Sequence, residues 1–157
     1  MPTNLYGPFD NFDLESSHVL PAMIRKFHEA KIEGHSNVTL WGSGKPMREF
    51  LHVDDMAQGV LFAVNNELPE HLYNVGFGSD VTIKQLAEIV QQTVGHNGEI
   101  VLDITKPDGT PRKLLYNGKI ISMSFSPKID LESRIAQTFE WFLKHQNNFS
   151  DLNLKKL

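Results

Sequence analysis

Gly42-Ser43-Gly44-Lys45-Pro46 breaks the middle of the chain between two short β-type runs, and that break limits what the rest can become. Two glycines and a proline within five residues make a turn, not a helix or a long strand. The flanking runs are brief: VTLWG at 38–42 and REFLHV at 48–53. LYNVG at 72–76 and EIVLDI at 99–104 are further strand-type segments of the same length. Helical stripes lie between them. Ser16 or Ser17 can cap a helix over about 17–31, with Val19, Leu20, Met23, Ile24 and Phe27 on one face and Pro21 in its first turn. Asp54 or Asp55 can cap a second helix, whose stripe is Met56, Val60, Leu61 and Val64. Thr82 and Gln85 have capping-box spacing for a third helix, to Val94, and Gly95 is a stop. A final helix is predicted over 130–145, with Leu131, Ile135, Phe139 and Phe142 inward. Residues 1–16 and 105–113 read as loops, and 117–129 fit no single pattern.

Short strands interleaved with helices predict a small mixed α/β domain. The long regular βαβαβ run of a complete nucleotide-binding domain is missing. At 157 residues and 40% hydrophobic, the chain can build one core. The expected domain is 1–147, and 148–157 is an expected frayed polar tail. Fifteen Lys and Arg against nineteen Asp and Glu give a net charge of −4, which argues against a general nucleic-acid binder. The sequence has no cysteine, so disulfides, thiolate chemistry and Cys-based zinc sites are excluded within it. Its seven histidines lack ligand spacing, so no metal site is expected. No run approaches the roughly 20 apolar residues of a membrane span. With no signal-like start either, a cytoplasmic location is expected.

Generic catalytic patterns fail. His28-Glu29 opens an HExxH-like run, but Ile32 stands where the second histidine would be. There is no GxSxG, GxGxxG or Walker A sequence. Three segments stand out instead: PTNLYGP at 2–8 with His18 following, WGSGKPMREFLHVDD at 41–55, and KPDGTPRK at 106–113. Arg48 offers a planar fork of donors suited to phosphate, or else a strand-end ion pair. Trp41 is either an aromatic wall for a ligand or a core residue. Lys26 reads as a solvated helix residue, with Arg25 beside it facing solvent. Asp108 suits a turn, and Arg112 and Lys113 add positive charge. His18 can donate or accept a proton near neutrality. His52, Asp54 and Asp55 read as structural.

Together these segments resemble the C-terminal, substrate-binding half of the GDP-L-fucose synthase family, a branch of the extended short-chain dehydrogenases/reductases. The likeness runs from about residue 1 to 147. MREFLHVDD is shared more loosely by many nucleotide-sugar epimerases and dehydratases, whereas PTNLYGP with its histidine and KPDGTPRK are specific to this branch. The resemblance implies a substrate-binding domain lacking most of the Rossmann domain. It implies NADP(H) against Pro2, Thr3, Asn4, Leu5 and His18, and no metal. It implies a GDP-sugar held by Lys26, Trp41, Arg48, Asp108 and Arg112, with His18 transferring protons during epimerisation. The family's Tyr-x-x-x-Lys pair, catalytic Ser and epimerisation Cys lie outside this sequence. A Rossmann half, from the same gene or a separate chain, is therefore the expected partner. Self-association through an exposed apolar face is expected as well.

Overall fold

In the computed structural model, residues 1–128 and 130–146 are described, so the predicted tail at 148–157 lies outside the described residues. The break at residues 42–46 organises the strands around it. β2 (Asn37–Trp41) precedes the turn and runs parallel to β6 (Glu99–Asp103). The single strand expected after the turn is two: β3 (Met47–Arg48) and β4 (Phe50–His52), separated by Glu49. β4 pairs in parallel with β1 (Asn4–Tyr6), a strand inside the expected N-terminal loop. β3 is the centre of a three-stranded sheet, antiparallel to β5 (Val81–Thr82) and parallel to β7 (Arg112–Lys113). β1 and β7 are too short to carry a periodic signal and exist through pairing.

α1 (Val19–Glu33) starts two residues later than predicted. Neither serine caps it: Ser16 Oγ donates to Asp13 Oδ1, and Ser17 N donates to Asp13 O, in a turn before the helix. His18 is the N-cap without a side-chain hydrogen bond, and Gly34 closes the helix at φ 71. α3 (Ile83–Val94) has the full capping box between Thr82 and Gln85, and Gly95 ends it at φ 75. α5 (Leu131–His145) is capped by the Asp130 side chain. α3 packs between α1 and α5. Ile24, Phe27, Leu86, Val90 and Ile135 are fully buried there, each worth about 1.5–3 kcal/mol against exposure. The ambiguous stretch holds the short helix α4 (Gly118–Ser122), whose Ile120 joins Leu51, Val75 and Phe125 in a second cluster. Of the strand-type run at 72–76, Val75 alone forms a bridge, with Pro2.

α2 (Val53–Asn65) corrects two expectations. Its cap is His52, whose Nδ1 accepts the Asp54 N–H at 3.2 Å. Asp54 and Asp55 instead meet Arg134 of α5, at 3.3 and 3.7 Å. Asp55 and Gly59 are buried and Met56 packs against the second cluster as expected, while Val60, Leu61 and Val64 are exposed. Gly59 selects that face, because a Cβ there would lie 3.2 Å from both Phe125 and Val75. The helix backbone approaches closely on the glycine side, and Val60, Leu61 and Val64 point outward.

His52 is 2% exposed, and burial, aided by Arg134, lowers its pKa from the ordinary 6.5. The unfolded chain therefore binds a proton that the folded chain resists. The stability held by neutral His52 is present above about 6.5 and is lost as pH falls below it. In urea unfolding, the wild-type midpoint is expected to fall between pH 7 and 5. His52→Asn keeps a capping oxygen but cannot titrate, so its midpoint should fall less over the same range. Equal pH slopes would contradict this.

Candidate functional site

The parallel pairing of β1 with β4 brings the N-terminal segment beside the residue that leaves the turn. An open cleft of about 690 Å³ lies there, lined among others by Pro2, Thr3, Asn4, Leu5, His18 and Arg48. Four residues of the N-terminal segment, the helix N-cap and a strand end 30 residues later thus share one surface. His18 is exposed at the start of α1. Asn4 Nδ2 donates to Glu49 O at 2.7 Å and Thr3 Oγ1 to the same oxygen at 3.3 Å. The segment is therefore held by its side chains as well as by strand pairing.

Arg48 Nη1 donates to Met47 O at 2.7 Å and to Thr110 O at 2.6 Å. The strand-end ion pair is not formed: Arg48 has no carboxylate partner among the described residues. Its positive charge is oriented by two carbonyls and is not neutralised. Lys113 lines the cleft too, whereas Arg112 does not. The two are neighbours on β7, and successive strand residues point to opposite faces. Arg112 instead forms a two-pronged ion pair with Asp80, at 2.6 and 3.1 Å. Sequence reading paired Lys113 with Arg112 as added charge; only the register with β3 separates them.

Neither Trp41 nor Asp108 is among the cleft-lining residues; they form a rim on the loops next to Arg48, which donates to Thr110 O. Trp41 is 71% exposed, so it is no core residue, and Lys106 Nζ lies 5.4 Å from its ring centroid. Asp108 accepts from Ser43 N at 2.8 Å and from Ser43 Oγ at 2.6 Å, which hold its carboxyl below the usual range. The latch explains Gly42, at φ 85, where a Cβ would lie 2.4 Å from Asp108 Oδ1. Arg48 joins rim to cleft: a Cβ at Gly109 would lie 3.2 Å from its Nη2. Lys26 is half-buried on α1 and is not among the cleft-lining residues. Arg25 is not simply solvated, since it pairs with Glu29 at 2.6 Å and donates to Phe12 O.

Two titratable groups of the cleft were not singled out from sequence. Burial raises the Asp10 carboxyl above the ordinary range, against the Asn11 N–H and the nearby His18. Tyr6 is 2% exposed, and burial pushes its phenol far above the usual value. It stays protonated and cannot serve as a base at neutral pH. Their loop and strand positions carry no pattern that marks them in the sequence. Among the described residues no His, Asp or Glu cluster could hold a metal ion, and no helix is long and apolar enough to cross a membrane.

The profile of the NAD dependent epimerase/dehydratase family matches residues 1–76. The chain is 51% identical to GDP-L-fucose synthase 1 of Arabidopsis thaliana over 148 residues, 94% of this chain and 46% of that protein. It is 47% identical to GDP-L-fucose synthase of Escherichia coli (strain K12) over 159 residues, 95% of this chain and 49% of that protein. A crystal structure of a GDP-L-fucose synthetase from Naegleria fowleri bound to NADP superposes with a TM-score of 0.87. That similarity is at 32% identity and covers 94% of this chain and 46% of that one. The chain thus spans about half the length of the curated relatives it matches.

The Asp80–Arg112 pair sets a second pH dependence. The hydrogen bond from Arg112 lowers the Asp80 carboxyl below its ordinary 3.8. A depressed carboxyl contributes stability above that value, lost as pH falls through the folded one. The gap in urea midpoint between wild type and Arg112→Met is expected to close as pH falls from 5 to 2. A gap that stays constant would show the pair contributes nothing through Asp80.

Proposed function

We infer a function from one premise: the chain belongs to the NAD dependent epimerase/dehydratase family, among the relatives of GDP-L-fucose synthase. It forms the C-terminal, GDP-sugar-binding part of an enzyme that converts GDP-4-keto-6-deoxy-D-mannose to GDP-L-fucose. The complete reaction epimerises two carbons flanking a ketone and reduces that ketone with NADPH. The observation that carries the reading is Arg48, an uncompensated guanidinium facing the same cleft as His18 and the Pro2–Leu5 segment.

Each residue then has a task. Arg48 and Lys113 hold the diphosphate, the first as a fork and the second as a point charge. Trp41 walls the nucleoside, and Asp108 holds the rim loop beside it. Lys26 and Arg112 complete the proposed substrate contacts, though Arg112 must first release Asp80. His18 moves a proton at an imidazole nitrogen, to or from a sugar carbon acidified by the neighbouring carbonyl. One side chain serves one face of the sugar, so a second acid–base group is required. The cleft suits NADP(H) in that Pro2, Thr3 and the strand residues Asn4 and Leu5 line it together with His18. NADPH, when bound, supplies the hydride; the chain's own residues orient it and exclude water.

The sequence contains no cysteine and no Tyr-x-x-x-Lys pair. The reading therefore requires a Rossmann half, in the same protein or in a separate chain, to carry hydride transfer. The outward stripe Val60, Leu61 and Val64 on α2 supplies an apolar face for it, or for a second copy of this chain. A second reading is a GDP-sugar-binding module without turnover. Added Rossmann half restoring NADPH oxidation favours the enzyme; binding without turnover in its presence favours the module.

Calorimetric titration of the chain with GDP-fucose tests the binding site itself. Saturable binding is expected, and Arg48→Ala should weaken it. Loss of a charge-assisted hydrogen bond is worth about 1.5–3 kcal/mol, or about 10- to 150-fold in affinity. No binding, or equal binding by Arg48→Ala, would overturn the assignment.

A further inference from the structure

Glu49 is the one residue between β3 and β4, and it is fully buried. Its neighbours Arg48 and Phe50 both line the cleft. The side chain of Glu49 turns the other way, into the protein. Its Oε1 accepts the Gly78 N–H at 2.7 Å and its Oε2 accepts the Leu115 N–H at 3.1 Å. Its backbone N–H donates to Lys113 O at 3.2 Å, and its carbonyl accepts from Thr3 and Asn4. One residue therefore ties the N-terminal segment, the 76–78 loop and the strand bearing Lys113 to the strand bearing Arg48.

Burying a carboxyl group is unfavourable unless its oxygens are hydrogen-bonded, and an apolar side chain would bury more easily in the same space. What the carboxyl group adds is two acceptors held in one plane, so that two separate backbone segments are fixed at once. The surroundings are shaped around it. A Cβ at Gly76 would lie 2.4 Å from Glu49 Oε1, so glycine leaves the room that the carboxyl group occupies.

We propose that Glu49 is the positioning residue of the anion-binding site: it sets where Arg48 and Lys113 stand relative to each other and to Asn4. This rests on the reading of the cleft as a GDP-sugar site, but its effect on geometry does not require a ligand. Glutamine at 49 keeps the shape and one acceptor, and turns the other into a donor facing a backbone N–H. One of the two segments is then released.

The test compares wild type, Glu49→Gln, Gly76→Ala and Val90→Ala, the last a buried core change at a residue that does not line the cleft, which controls for lost stability. Two quantities are measured on the folded chains. The first is the NMR position of the Asn4 side-chain amide, the Arg48 Nε–H and the Lys113 amide, without ligand. The second is GDP affinity by calorimetry, also in an Arg48→Ala/Lys113→Ala background. Glu49→Gln and Gly76→Ala are expected to shift the three cleft signals and weaken GDP by about tenfold or more, while Val90→Ala does neither. In the doubly substituted background, Glu49→Gln should weaken GDP no further. Unmoved cleft signals in Glu49→Gln would overturn the proposal. So would an affinity loss of the same size in Val90→Ala at matched stability. If wild type binds no GDP, the GDP-site reading fails, and the ligand-free signals still decide the role of Glu49. If Glu49→Gln does not fold, Gly76→Ala displaces the same carboxyl group and answers in its place.

Discussion

The hydrogen bonds of Glu49 join the parts from which the cleft is made. Through them the segments at 1–6, 76–78 and 112–115 share one reference point, at the residue that separates β3 from β4. The break they stabilise lets β3 serve one sheet and β4 another. Residues on either side of it then reach the same surface. A buried acceptor pair does this because each backbone N–H it satisfies is one that no strand ladder can satisfy at that point.

Charge is distributed to match. Arg112, Arg134, Arg25, Lys84 and Lys119 each have a carboxylate partner, and these pairs brace the scaffold. Arg48 has two carbonyls and Lys113 faces the cleft. Two cations without a carboxylate partner among the described residues thus stand at the cleft of a mildly acidic chain, where an anion can be held. The rim is built by a different device, the Asp108–Ser43 latch, which sets the 106–113 loop beside an exposed Trp41.

Much of this was legible in the sequence. The helices α1, α3 and α5 follow from apolar spacing, and α3 also from Thr82, Gln85 and Gly95, which act locally. The family's motifs marked Pro2–Leu5, His18 and Arg48, which the fold brings to one cleft. Other features depend on tertiary packing. The inner face of α2 was misread because Gly59, not Val60 or Val64, sets the closest approach. That Lys113 lines the cleft while Arg112 pairs with Asp80 depends on the register of a two-residue strand. Glu49 carries no mark of its burial in the sequence, since nothing local reveals that Gly78 and Leu115 would point their N–H groups at it. Helix α2 and the β1 edge also show that apolar spacing predicts a face without predicting what covers it.

The central claim is that one cleft gathers Arg48, Lys113 and His18 around a GDP-sugar. The direct measurement is a crystal structure of the chain grown with GDP-fucose. The account predicts the diphosphate between Arg48 and Lys113, with the sugar toward His18 and the base toward Trp41. A GDP-sugar seated elsewhere, with Arg48 still bonded only to Met47 O and Thr110 O, would contradict it.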